Sequence, residues 1–258
     1  MALIQCQLFA ESLSMSTEIT LILPEHSPLR ASRNGKLPVL YLLHGRGADH
    51  SEWTRHSSIE RLAEARGIAV VMPSAGRSYY MDMQQGGSYF TYISEELPAF
   101  VKSLFPISDR REDTFVTGVS MGGYGAFKLG LRFPERYAAA ASLSGGLDLA
   151  GRVRGQGNFT PAEMQSIFGS PERIEGSDDD LLAVSRRLAA SGTAFPQLYQ
   201  CCGTEDFLYE ANQTFRHTMK ELDVQVTYEE EPGGHEWSYW DMKIKRVLEW
   251  LPVQVQPV

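Results

Sequence analysis

Three cysteines in 258 residues are too few for a disulfide framework. Two of them, Cys201 and Cys202, are adjacent, and neighbouring side chains on a strand leave opposite faces. They are therefore not expected to bridge each other and read as small apolar residues of a buried strand. Cys6 lies far from any Cys/His cluster, so no metal site is expected. Nowhere do about 18 apolar residues follow one another, which predicts no membrane-spanning helix. Positive charge is scarce as well. Against 32 Asp and Glu stand 24 Lys and Arg, and the formal net charge of −8 would repel a nucleic-acid backbone. The first residues lack a basic segment followed by an apolar run and a small-residue cleavage site, which predicts a cytoplasmic location.

What is present suits one folded domain. With 43% hydrophobic and 22% charged residues the chain is too apolar for disorder, and its length suffices for one large core. The first 23 residues alternate in polarity and predict two strands, near 3–10 and 15–23, forming an antiparallel hairpin at a sheet edge. "LPVLYLLHG" and "IAVVMP" follow, then "DTFVTGVS", "YAAAASLSG", "FPQLYQCCG" and "VQVTYEEEPGG". The most apolar of these are continuous rather than alternating, as in strands covered on both faces. Segments with helical spacing lie between them: "IERLAEARG", "SEELPAFVKSLF" with Pro98 near its beginning, "MGGYGAFKLGLRFP", "FLYEANQTFRHTMKEL" and "HEWSYWDMKIKRVLEWL". Strands alternating with helices predict an α/β fold with a mostly parallel sheet and helices on both faces. Residues 146–193 break the rhythm. A connection of that length is expected to be a lid-like insertion facing substrate, or else a surface excursion with one helix near 179–190 capped by Asp178-Asp179-Asp180.

Gly118-Val119-Ser120-Met121-Gly122 fits G-x-S-x-G. Glycine is about 7% of residues, so chance alone places this pattern in roughly one chain in ten of this length. Its setting adds weight, because a buried strand ends at the motif and a helix starts directly after it, as a nucleophile elbow requires. The bend would lift the Ser120 hydroxyl above the sheet edge, and glycines at 118 and 122 would let strand and helix pass closely. A serine hydroxyl also needs a base. Of the six histidines, His217 falls within a helix, while His26, His50 and His56 sit in early loops or at a helix start. His235 follows the last strand, and Gly233-Gly234 give its loop freedom. In chain order the acid lies between serine and histidine, and Asp206 sits just past the fifth parallel strand. Glu205 and Asp223 are the other candidates for that acid. The loop His44-Gly45-Arg46-Gly47 ends the first parallel strand and can offer a backbone N–H to an oxyanion, from Arg46 or Gly47, beside the N–H of Met121. His44 reads as a support of this loop.

These stretches together resemble the tributyrin-esterase branch of the esterase D family. That family is related to S-formylglutathione hydrolases, feruloyl and acetyl esterases, and mycolyltransferases. The resemblance runs from "LPVLYLLHGRGADHSEW" through "VVMPSAGRSYYMDMQQGGSYFTYISEELP", "GVSMGGYGAFKLGLRFPERYAAAASLSG" and "CGTEDFLYEAN" to "GGHEWSYW". It implies the α/β-hydrolase fold and hydrolysis of short-chain acyl esters through an acyl-enzyme, without a cofactor. It further implies a triad of Ser120, Asp206 and His235 with oxyanion donors at Arg46 and Met121. Arg46 departs from the pattern, since the corresponding residue is more often apolar. The same machinery also suits a feruloyl or acetyl-carbohydrate esterase, an S-formylglutathione hydrolase, an acyltransferase, or a binding protein that has lost catalysis. Relatives often associate, so a homo-oligomer is compatible with the chain, although no heptad or apolar patch points to one.

Overall fold

The continuous apolar runs form strands buried on both faces. In the computed structural model, which describes residues 1–155 and 157–253, β3 (Val39–Leu43), β4 (Ala69–Pro73), β5 (Thr114–Val119) and β6 (Ala139–Leu143) are buried along their whole length. With β1 (Ala2–Ala10), β2 (Met15–Leu23), β7 (Gln197–Gly203) and β8 (Val226–Glu231) they build one sheet in the order β1-β2-β4-β3-β5-β6-β7-β8. β1 pairs antiparallel with β2, and β2 antiparallel with β4. From β3 onward every neighbour is parallel. The predicted hairpin thus occupies one edge, within a residue of its expected limits.

Period-two alternation divides the strand residues between two cores. Tyr41, Leu43, Val71, Val116 and Ala140 face one, where the helices Leu97–Leu104, Met121–Arg132, Leu181–Ser191 and Tyr209–Glu221 bury Leu97, Phe127, Leu181 and Phe215. Leu40, Leu42, Val70, Phe115 and Ala141 face the other, closed by Ile59–Arg66 and Trp237–Trp250 through Ile59, Ile244 and Leu248. Each such side chain, taken from water, contributes about 1.5–3 kcal/mol before ordering costs. Cys201 and Cys202 are both buried and unpaired, and burial pushes both thiols well above their ordinary range.

Two segments differ from the sequence expectation. The helical run around Pro98 starts earlier, at Tyr89, and passes through a π turn at Tyr92–Glu96 before Leu97–Leu104. Pro98 has no N–H for the Ser94 carbonyl, and the Arg136 guanidinium supplies the missing donor at 3.1 Å. In 146–193, of which residue 156 lies outside the described residues, the expected helix is Leu181–Ser191. Asp180 caps it by accepting the Leu182 and Ala183 N–H groups. A second helix, Leu149–Arg154, and a helical run from Pro161 to Phe168 are also present. Both are short, the second starting at Pro161, and they carry too little periodicity to be read from sequence. Among the described residues no helix is long and apolar enough to cross a membrane.

Candidate active site

Ser120 stands at the end of β5 with φ 57° and ψ −116°, a left-handed conformation disfavoured by any side chain. Such a residue costs on the order of 1–3 kcal/mol and is held by its surroundings. Here its N–H donates to the Leu143 carbonyl at 2.9 Å, and its carbonyl accepts from Tyr124 at 3.2 Å. Glycines make the bend possible. A Cβ on Gly118 would lie 2.5 Å from the Gly122 carbonyl carbon, and one on Gly122 would lie 2.7 Å from the His44 oxygen. Strand, loop and helix therefore pass at backbone contact.

The structure brings the two other sequence-selected side chains to this hydroxyl. His235 Nε2 is 2.9 Å from Ser120 Oγ, across 115 residues of chain. On the far side of the ring, Nδ1 lies 2.8 Å and 3.0 Å from the two Asp206 carboxylate oxygens. The Asp206 carboxylate is fully removed from solvent, while the imidazole stays partly open to it. One Asp206 oxygen also accepts the Leu208 N–H at 2.8 Å. That contact orients the carboxylate in a turn ahead of the following helix instead of capping the helix itself. Glu205 and Asp223 are exposed. Phe207 tilts over the imidazole at 4.5 Å, and Trp240 meets it edge-on at 4.8 Å while donating its Nε1–H to Ser144 at 3.1 Å. These two aromatics escaped the sequence reading, because no motif spacing marks a ring that merely walls in another.

The loop after β3 lies against the same serine. A Cβ on Gly45 would stand 3.5 Å from that of Ser120. His44 is buried beneath the loop. Its Nε2 accepts the Ala75 N–H at 2.8 Å, which leaves the proton on Nδ1 to donate to the Gly45 carbonyl at 2.7 Å. Burial pushes this imidazole down to about 4, so it stays neutral at ordinary pH and braces the loop as a fixed pair of hydrogen bonds. Among the described residues neither the Arg46 N–H nor the Met121 N–H meets an acceptor, as befits a free loop and the first turn of a helix.

The insertion packs onto this loop. Arg46 donates to the Asn158 carbonyl at 2.7 Å, with its guanidinium 5.3 Å from the Phe159 ring centre. Phe159 and Phe168 meet Tyr79 at 5.1 Å and 5.7 Å, and the Tyr79 N–H points at the Met121 sulfur. Two further aromatics of these segments, Tyr80 and Trp53, are consumed by the core. Tyr80 donates to the His44 carbonyl and Trp53 to the Leu43 carbonyl.

Comparison with known proteins gives the chain's relatives. The model of the Esterase family, described as "Putative esterase", matches residues 10–251. An acetyl esterase of Caldicellulosiruptor saccharolyticus is 32% identical over 97% of this chain and 98% of its own. The substrate-bound fluorophosphonate-binding serine hydrolase FphF of Staphylococcus aureus superposes with a TM-score of 0.90 at 32% identity, covering 98% of this chain and 99% of its own. The S-formylglutathione hydrolase FrmB of the same organism gives 0.87 at 33% identity over 97% and 98%.

Proposed function

The chain belongs to the Esterase family and is a serine carboxylesterase of the α/β-hydrolase fold; on that premise we propose that Ser120, His235 and Asp206 carry the reaction on short-chain acyl esters. The observation behind this reading is the unbroken hydrogen-bond line from Asp206 through both ring nitrogens of His235 to the Ser120 hydroxyl. Asp206 accepts a hydrogen bond from the Nδ1–H of His235, which leaves Nε2 as the acceptor facing serine. Ser120 Oγ attacks the ester carbonyl carbon as its proton passes to Nε2. The carbonyl oxygen takes up the negative charge and accepts the N–H groups of Met121 and Arg46, each typically contributing about 3 kcal/mol to the transition state. The alcohol leaves with the Nε2 proton. Water, deprotonated by the same nitrogen, then releases the acid and restores the serine.

The short acyl preference is supported by the acetyl esterase, which is alike over nearly the whole length of both chains. The insertion would then roof the substrate site, since Phe159 and Arg46 join it to the loop beside Ser120. The deciding experiment is incubation with a fluorophosphonate, followed by mass spectrometry and assay of tributyrin, methyl ferulate and acetylated sugars. Label on Ser120, loss of activity in Ser120→Ala and fastest turnover of the small acyl groups are expected. Label elsewhere, or Ser120→Ala with full activity, would overturn the assignment.

A further inference from the structure

We propose that Arg46 and Arg152 form an anion-binding pair at the mouth of the site and select esters carrying a carboxylate; this rests on the serine esterase reading and deepens it. Both guanidinium carbons lie 5.3 Å from the centre of the same ring, Phe159, so the two cations flank one side chain of the insertion. Each is also tied to the nucleophile's surroundings through a neighbouring glycine. Arg46 follows Gly45, whose Cβ position is 3.5 Å from Ser120 Cβ. Arg152 Nη1 lies 2.5 Å from the Cβ position of Gly146, and the Gly146 N–H points at the Ser120 carbonyl at 3.4 Å.

The charges of the pair are not neutralised by the protein. Arg46 donates to a backbone carbonyl and Arg152 to the Tyr79 hydroxyl at 2.8 Å, and among the described residues neither meets a carboxylate. Arg77 is paired with Glu163, and Asp148 turns one oxygen to the Gly151 N–H at 2.9 Å and forms no ion pair with Arg152. Two half-buried guanidinium groups with no carboxylate partner among the described residues, in a chain of net charge −8, concentrate positive potential beside Phe159. Their remaining N–H groups match the planar, bidentate geometry of a carboxylate. The pair would hold a carboxylate carried on the acyl side or on the alcohol side of the ester, and the test has one arm for each.

In the acyl arm, monomethyl succinate is compared with methyl pentanoate; in the alcohol arm, carboxymethyl acetate with propyl acetate. At least one charged ester is expected to exceed its neutral partner in kcat/KM by about tenfold, the scale of a charge-assisted hydrogen bond. That ratio should fall about tenfold in Arg152→Gln, less in Arg152→Lys, and should shrink with added salt. Charged esters hydrolysed no faster than neutral ones in both arms, or an Arg152→Gln protein slowed alike on all four, would overturn the proposal. Titration of Ser120→Ala with monomethyl succinate, carboxymethyl acetate and their neutral partners separates the two readings. Tighter binding of a charged ester sustains the pair even if the serine were not the nucleophile, and equal binding of charged and neutral esters counts against it.

Discussion

The Glu205 N–H donates to the Gly233 carbonyl at 3.1 Å, so the loop that carries Asp206 is stitched to the loop that carries His235. The adjoining Thr204 N–H bonds the Glu231 carbonyl at 3.0 Å, extending the β7–β8 ladder into the loops. Gly203 sits where this junction is tightest, and a Cβ there would lie 2.6 Å from the Gly233 carbonyl carbon. Gly203→Ala is therefore expected to push the histidine loop outward. A displacement near 1 Å typically costs about a hundredfold in rate, and kcat for a short-chain ester should fall on that scale while the protein still folds. Unchanged kcat in a folded Gly203→Ala protein would show the junction to be slack.

Asp206 and Glu205 are adjacent, yet one carboxylate is sealed against the imidazole and the other is exposed. Asp206→Asn preserves shape but offers Nδ1 a donor where it needs an acceptor, which favours the wrong tautomer. A loss of about ten-thousand-fold in kcat is expected on the precedent of serine protease triads. Glu205→Gln should stay within about twofold, as for a surface charge. Steady-state kinetics on both variants decides the matter, and comparable losses would reassign the acid.

Ser120 holds φ 57° with a side chain attached. Ser120→Ala keeps the Cβ and its strain, whereas Ser120→Gly removes both. Both variants should be inactive, with the glycine form more stable by about 1 kcal/mol after its extra unfolded-state entropy is deducted. Denaturant midpoints measure the difference. A glycine form no more stable than the alanine form would mean that the bend stores no strain.

His44 is held down to about 4 by burial, against about 6.5 in an unfolded chain. Between those values the unfolded state binds the extra proton, so stability rises with pH across that window and is lost as pH falls through it. The loss amounts to about 3 kcal/mol by linkage. Thermal unfolding from pH 7 to pH 4 should therefore be steeper for the wild type than for His44→Gln. Parallel curves would remove His44 from the acid response.

Much of this was legible in the chain itself. Buried strands announce themselves by unbroken apolar runs, so β3 to β6 and their helical partners follow from local pattern. The serine could be chosen because strand, glycines and helix are consecutive there, and the sharp bend is a local property. Other features depend on which loops meet. The choice of Asp206 over Glu205 turns on which neighbour faces inward after Gly203, and that depends on the register of β7 against β8. Arg46 carried no sign that its side chain would turn to Asn158 and Phe159, 112 residues away in the case of Asn158. The π turn before Pro98 needed Arg136 from another element to satisfy the Ser94 carbonyl. Periodicity and propensity are short-range quantities, whereas these contacts arise from strand order and loop approach, which only the folded chain determines.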